Sequence, residues 1–253
     1  MTETVRIVLV VLLAFAASML PRAPAAAPAT APTSEAPLAP FRARYEVWRN
    51  GKLAGEARFA LLTLADGRRE WTTRMRGTRG LAAIANLEID ERSVFLWRNG
   101  APELIESSYD QRAAFTSRKR SLRVDQPSNT IASFDGKRLH TLAFAAYTID
   151  VHLTTVALMA RLSRDAGASL ELIVATRDEI ERHRYERVGE ETVAVPAGAF
   201  RTLRVRRARE NRERSSESWL APSLGYLPVR IDYEDSKGER IELRLVARSG
   251  ALR

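Results

Sequence analysis

From residue 41 onward, apolar and polar side chains alternate in short runs, the two-residue period of strands with one face buried. Phe41, Ala43, Tyr45 and Val47 share one parity, as do Leu53, Gly55, Ala57, Phe59 and Leu61; near the end Val229, Ile231 and Tyr233 answer Ile241, Leu243 and Leu245. Asn50-Gly51, Asp66-Gly67, Asn99-Gly100, Asp135-Gly136, Ala197-Gly198 and Lys237-Gly238 stand between such runs, the turn chemistry of antiparallel hairpins. The pattern predicts strands over 41–48, 53–64, 69–76, 87–97, 103–110, 119–125, 130–134, 138–142, 169–176, 180–188, 192–195, 200–209, 215–220, 228–234 and 239–247.

Two hairpins can be argued to register. In the first, both inward sets are odd-numbered, so a three-residue loop Arg49-Asn50-Gly51 keeps the parity and sets Phe41 opposite Phe59. In the last, a Ser236-Lys237-Gly238 loop gives the left-handed position to glycine, whereas Asp235-Ser236-Lys237 would align Asp232 with Arg240 and Arg230 with Glu242. Exposed cross-strand ion pairs contribute about 0.2 to 1 kcal/mol each, and left-handed geometry costs a non-glycine residue about 1 to 2 kcal/mol. The glycine register is favoured.

Helical spacing is clear over Val151 to Arg164. Asp150 is placed to cap it, Val151, Leu153, Val156, Leu158, Met159 and Leu162 form a broad apolar stripe, and Gly167 follows as a stop. Gly80 to Asn86 lacks strand alternation and reads as a second helical turn. The fold class that follows is mainly β: a large curved antiparallel sheet or partly open barrel, with one main helix covering or plugging it and the short turn helping to close its open side.

Several fragments carry a family resemblance: Tyr45-Glu46-Val47 with Asn50-Gly51-Lys52 and Gly55, Gly189-Glu190-Glu191-Thr192-Val193 with Val195-Pro196-Ala197-Gly198-Ala199-Phe200, and Trp219-Leu220-Ala221-Pro222 with Leu227-Pro228-Val229-Arg230 and Gly238. In order and spacing they resemble an exported bacterial family known as domain of unknown function 3108, over almost all of residues 41–247. The resemblance implies an envelope protein of Gram-negative bacteria, with no established activity and no catalytic residues to carry over. The closing Trp-to-Pro fragment is also similar in architecture to the curved-sheet lipoprotein carriers of the periplasm, an analogy of shape alone.

Ahead of the strands, Arg6, the apolar run Ile7 to Leu20 and Ala23-Pro24-Ala25-Ala26 have the layout of a secretory signal peptide. The run is shorter than the roughly 20 residues a membrane span needs. Cleavage is expected after Ala25, giving a signal peptide over 1–25, an Ala/Pro-rich flexible linker over 26–40, one β-rich domain over 41–247 and a tail over 248–253. The chain has no cysteine, which excludes a lipidated leader and disulfide support in an oxidising compartment, so a packed core must hold the fold. Loss of Arg6, Arg22 and Glu3 takes the formal charge from +9 to +8.

Candidate chemistry is sparse. His140, His152 and His183 are far apart with no metal spacing, and hydrolase, metalloprotease and nucleotide fingerprints are missing. A trio of Ser117 or Ser121 with Asp110 and His140 is conceivable, but serines beside Arg118, Lys119 and Arg120 read more simply as solvent-facing. No catalytic residue, cofactor or metal is assigned. Arginine outnumbers lysine 36 to 4. Arg118, Lys119, Arg120 and Arg123 form one cluster and Arg201 to Arg214 another, with Arg204 and Arg206 on one face. Nucleic acid is an unsuitable partner for an exported chain, whereas phosphorylated envelope headgroups match guanidinium forks. Trp219, Trp71, Tyr147, His152 and Met159 are candidate cavity residues or structural anchors, Trp219 above all because Pro222 ends its strand.

These observations favour a noncatalytic periplasmic protein binding an apolar or amphiphilic envelope component, a lipid for example, in the concavity of its sheet. An envelope assembly factor acting through its surface, with an envelope protein as partner, is the alternative, and a hydrolase the third reading. A continuous apolar cavity would favour the first, a filled core the second, and a polar cleft with a carboxylate beside His152 or His140 the third.

Overall fold

The computed structural model describes residues 38–114, 116–208 and 215–250. The expected leader, the linker up to residue 37, residues 251–253 of the tail, and Arg209, Arg212 and Arg214 of the second basic cluster lie outside the described residues.

Alternating runs become β1 (Phe41–Arg49), β2 (Lys52–Thr63), β3 (Arg69–Gly77), β4 (Glu88–Arg98), β5 (Ala101–Ala113), β6 (Thr116–Asp125), β7 (Thr130–Phe134) and β8 (Leu139–Ala143). Then come β9 (Ile149–Asp150), β10 (Glu171–Ala175), β11 (Ile180–Val195), β12 (Gly198–Ala208), β13 (Ser215–Ala221), β14 (Leu227–Glu234) and β15 (Arg240–Gly250). All fifteen belong to one sheet in the order β8-β7-β6-β5-β4-β3-β2-β1-β15-β14-β13-β12-β11-β10-β9. The first and last strands therefore pair at its centre, and each half of the chain runs outward to one edge. Every pairing is antiparallel except β9 with β10, which are parallel and joined through the helix α2 (Thr154–Arg164). The two edges curl toward one another: Leu104 N–H donates to Thr148 C=O at 3.0 Å, and Ser133 Oγ on β7 donates to Arg177 C=O just past β10 at 2.5 Å. Among the described residues no continuous ladder joins them, so the sheet is a partly open barrel.

The helix α2 fills the barrel. Val156, Ala157, Leu158, Met159, Ala160 and Leu162 are buried in one core with Tyr45, Phe59, Trp71, Phe95, Leu104 and Val229. The expected helix start is corrected by three residues: Asp150 belongs to β9, and its Oδ1 accepts the Leu153 N–H at 3.0 Å, capping the turn that precedes α2 instead of α2 itself. Val151, expected in the buried stripe, is mostly exposed. The second helical turn exists as α1 (Gly80–Ile84), but it buries none of its residues and closes nothing. Leu38, expected in the linker, packs into the core, and Arg69 Nη2 donates to its carbonyl at 3.0 Å.

The last hairpin takes the glycine register, with Glu234 opposite Arg240 and Gly238 at φ 75°. It places Asp232 directly opposite Glu242, an arrangement that like charges alone would oppose. Arg230 and Arg240 on Asp232, with Arg230 and Arg244 on Glu242, compensate them. The ion pairs set against this register thus form diagonally within it. The first hairpin differs from expectation. Its loop is the two residues Asn50 and Gly51, both at positive φ, and parity is restored by a bulge, since Val47 faces Gly55 while Trp48 faces Leu53. Phe41 consequently lies opposite Leu61, and Phe59 opposite Ala43. The expected strands 180–188 and 192–195 are one strand, β11, bulged between Arg187 and Gly189.

Candidate functional site

Inward positions of β3 and β4 carry two small polar residues among aromatics. Thr73 follows Trp71 by one period, and Ser93 precedes Phe95 by one, so both hydroxyls point into the barrel beneath the segment leading to α2. There they meet His152 and Asp150. Ser93 Oγ donates to Asp150 Oδ2 at 2.7 Å, so its lone pairs face His152 Nδ1 at 2.9 Å, which must carry the proton. That leaves Nε2 to accept from Thr73 Oγ1 at 2.8 Å. The result is one directed chain, Thr73 to His152 to Ser93 to Asp150, ending on a carboxylate. Burial pushes the His152 pKa down to about 3, in keeping with a neutral ring. Burial also raises Asp150, opposed by hydrogen bonds from Ser93, the Leu153 N–H and Ser107. The Trp71 ring lies 5.8 Å from the imidazole.

Asp150 and His152 of this directed chain line a cleft of about 340 Å³, which Glu91, Tyr109, Arg118 and Arg120 also line. Burial, then the charge of Asp150, pushes the Glu91 carboxyl up to about 7, with Arg120 acting in opposition. The cleft is therefore polar, with carboxylates beside His152. Its geometry is not that of a hydrolytic triad. Ser93 is 0% exposed and gives its proton to Asp150, and both imidazole nitrogens are occupied by hydroxyls. Network satisfaction of this kind locks α2's approach against β3 and β4.

A larger groove, about 760 Å³, opens at the C-terminal half of α2. Pro102, Ile149, Ala157 and Leu172 give it an apolar floor, and Arg161 and Arg164 stand at its side. Arg161 Nη1 donates to Ser169 C=O and Arg164 Nη1 to Asn99 C=O, each at 2.8 Å; neither makes an ion pair among the described residues. Most of the other described arginines do. The position of Arg161 and Arg164 in the last turn of α2 suits the helix dipole, and Glu171, which also lines the groove, acts on Arg161 by charge without reaching ion-pair distance.

The expected site residues do not converge. Trp71 and His152 adjoin each other, and Met159 is enclosed in the core. Tyr147 lies at the groove, its hydroxyl accepting from Asn99 Nδ2 at 3.0 Å. Trp219 sits on β13 away from both, its ring packed between Arg204 and Arg230. Arg204 and Arg206 share the Glu217 carboxylate at 2.5 Å, so their charge is compensated. Lys119 lies 3.7 Å from Asp110, while Arg118 and Arg120 line the cleft without an ion pair among the described residues, Arg120 acting on Glu91 by charge. His140 pairs with Asp135 at 3.0 Å and not with Asp110, and Ser117 and Ser121 are exposed, so the imagined trio is not assembled. Thr73, Ser93 and Glu91 escaped the sequence reading. Their signal was parity: polar residues on the rows that hold Trp71 and Phe95.

Among the described residues no helix is long and apolar enough to cross a membrane. No curated protein matches the chain. It is similar to the beta-barrel-like protein of domain of unknown function DUF1849 from Brucella abortus, at 9% identity and TM-score 0.49, covering 84% of this chain and 98% of that one. It is also similar to a chain in the MucA/MucB complex structure of Pseudomonas aeruginosa, at 14% identity and TM-score 0.34, covering 87% of this chain and 56% of that one. Residues 41–246, from the first strand almost to the end of the last, match the family described as Protein of unknown function (DUF3108), and the chain belongs to that family.

Proposed function

We propose that this is an exported, noncatalytic protein of the bacterial periplasm, cleaved after Ala25, that binds an anionic amphiphile. The observation that carries the reading is the groove beside α2: an apolar floor of Pro102, Ile149, Ala157 and Leu172 next to two arginines that make no ion pair among the described residues. Burial pushes the Arg161 guanidinium down in pKa, the mark of a cation short of solvent, with Glu171 opposing. A phosphate or carboxylate head would satisfy both guanidinium forks, and a chain would cover the floor. The sheet's concavity, the site expected from sequence, holds α2, whose buried side chains pack into one core with the inner faces of the strands. The groove therefore takes its place.

Native mass spectrometry of protein isolated from its own envelope tests this. An anionic amphiphile should accompany the wild type and be lost from Arg161→Gln/Arg164→Gln at unchanged thermal stability. A wild type free of any amphiphile, or equal retention by the variant, would sink the reading.

A further inference from the structure

The connections of the meander β1 to β8 fall alternately at its two ends, and the links themselves differ in charge between the two ends. At one lie the links β2 to β3, β4 to β5 and β6 to β7. Their cation, Arg68, is held by Asp66 at 2.7 Å. At the other lie β1 to β2, β3 to β4, β5 to β6 and β7 to β8. In or beside those links stand Lys52, Arg79, Lys137 and Arg138, all exposed and none in an ion pair among the described residues. Asp135, the acid of that group, is already engaged by His140 and by the backbone N–H groups of Lys137 and Arg138.

From the middle of this cationic end projects α1. Its Leu81 and Ile84 are 76% and 77% exposed, the most exposed of the large apolar side chains described. The tip is held firmly. Thr78 and Arg79 N–H both donate to Ala54 C=O, Leu87 N–H donates to Ala82 C=O, and Ala114 N–H of the next link donates to Ala85 C=O at 2.7 Å. Gly77 has no room for a Cβ, which would lie 2.5 Å from the Ala82 carbonyl oxygen. A braced, outward-pointing pair of aliphatic side chains on the same end of the sheet as exposed cations that make no ion pair among the described residues is complementary to a surface that is apolar inside and negative at its face.

We propose that the α1 tip docks on an anionic phospholipid surface, Leu81 and Ile84 entering the acyl boundary and Lys52, Arg79, Lys137 and Arg138 meeting the headgroups. The proposal is independent of the groove reading, because Asn99 and Gly100 place that groove at the opposite end. It also gives the bound protein an orientation, with the groove turned away from the lipid.

The chain's lack of cysteine makes the test direct. Ile84→Cys and Ala65→Cys, at opposite ends, each receive an environment-sensitive dye in otherwise identical full chains, so any insertion by the leader affects both alike. With phosphatidylglycerol/phosphatidylethanolamine vesicles the dye at 84 should shift to the blue and the dye at 65 should not; phosphatidylcholine vesicles should shift neither. Arg79→Ala and Arg138→Ala should each weaken vesicle binding about fivefold, from about 1 kcal/mol per cation near the surface. No shift at 84, an equal shift at 65, or an equal shift on phosphatidylcholine would overturn the proposal. Arg161→Gln/Arg164→Gln should dock normally, which separates this outcome from failure of the groove.

Discussion

The indole N–H of Trp219 on β13 donates to Glu191 Oε1 on β11 at 2.8 Å, reaching across the intervening strand β12. The Arg204 and Arg230 guanidiniums cover the ring, 5.1 and 4.6 Å from its centroid. One side chain thus ties four strands together, since Arg230 belongs to β14. Trp219→Ala should cost about 3 to 5 kcal/mol, read as a lower urea midpoint. A folded variant of wild-type stability that had lost a bound amphiphile would move Trp219 from anchor to ligand contact.

The buried network and the cleft beside it predict two opposed pH dependences. His152 stays neutral in the fold down to about 3, whereas an unfolded imidazole titrates near 6.5. Its stabilising contribution is therefore present above 6.5 and falls as the pH drops toward 3. Glu91 has the other sign. Its folded value, about 7, exceeds the ordinary 4.5, so its contribution is present below 4.5 and is lost as the pH rises through 7. Glu91→Gln should flatten the loss of stability between pH 4.5 and 7, and His152→Gln the loss below 6.5. Urea midpoints measured across this range check both; an unaltered profile in either variant would contradict its placement.

The bulge in the first hairpin should be intolerant of a methyl group. A Cβ on Gly55 would lie 2.2 Å from the Arg76 carbonyl oxygen, which is backbone and cannot swing aside. Gly55→Ala should cost about 3 kcal/mol, the upper end for overpacking. A denaturation midpoint equal to wild type would show that the two strands stand further apart.

Much of the sheet was legible because its signals are local. A turn dipeptide and a two-residue period need only neighbours in the chain, and Gly238 settled the last hairpin because its left-handed backbone excludes most other residues. The first hairpin was misread at its loop because the same parity can be met by a third loop residue or by a bulge within the strand. Only pairing with β3, which brings Gly77 opposite Gly55, distinguishes them. The candidate site was less legible still. Thr73, Ser93 and Asp150 are separated by 20 and 57 positions, and nothing local announces that one imidazole will join them.

Local signals alone establish a β-rich chain with one amphipathic helix, a basic balance without cysteine, and a strand carrying Trp219 that ends in a proline turn. Those features depend on backbone preference, side-chain period and composition, all of which act over a few residues. Tertiary structure decided the rest: that the terminal strands pair at the centre, that α2 occupies the concavity, that Glu217 cancels Arg204 and Arg206 while Arg161 and Arg164 are left with carbonyls. Charge compensation and enclosed volume are sums over residues distant in the chain, so they exist only once the sheet has curled.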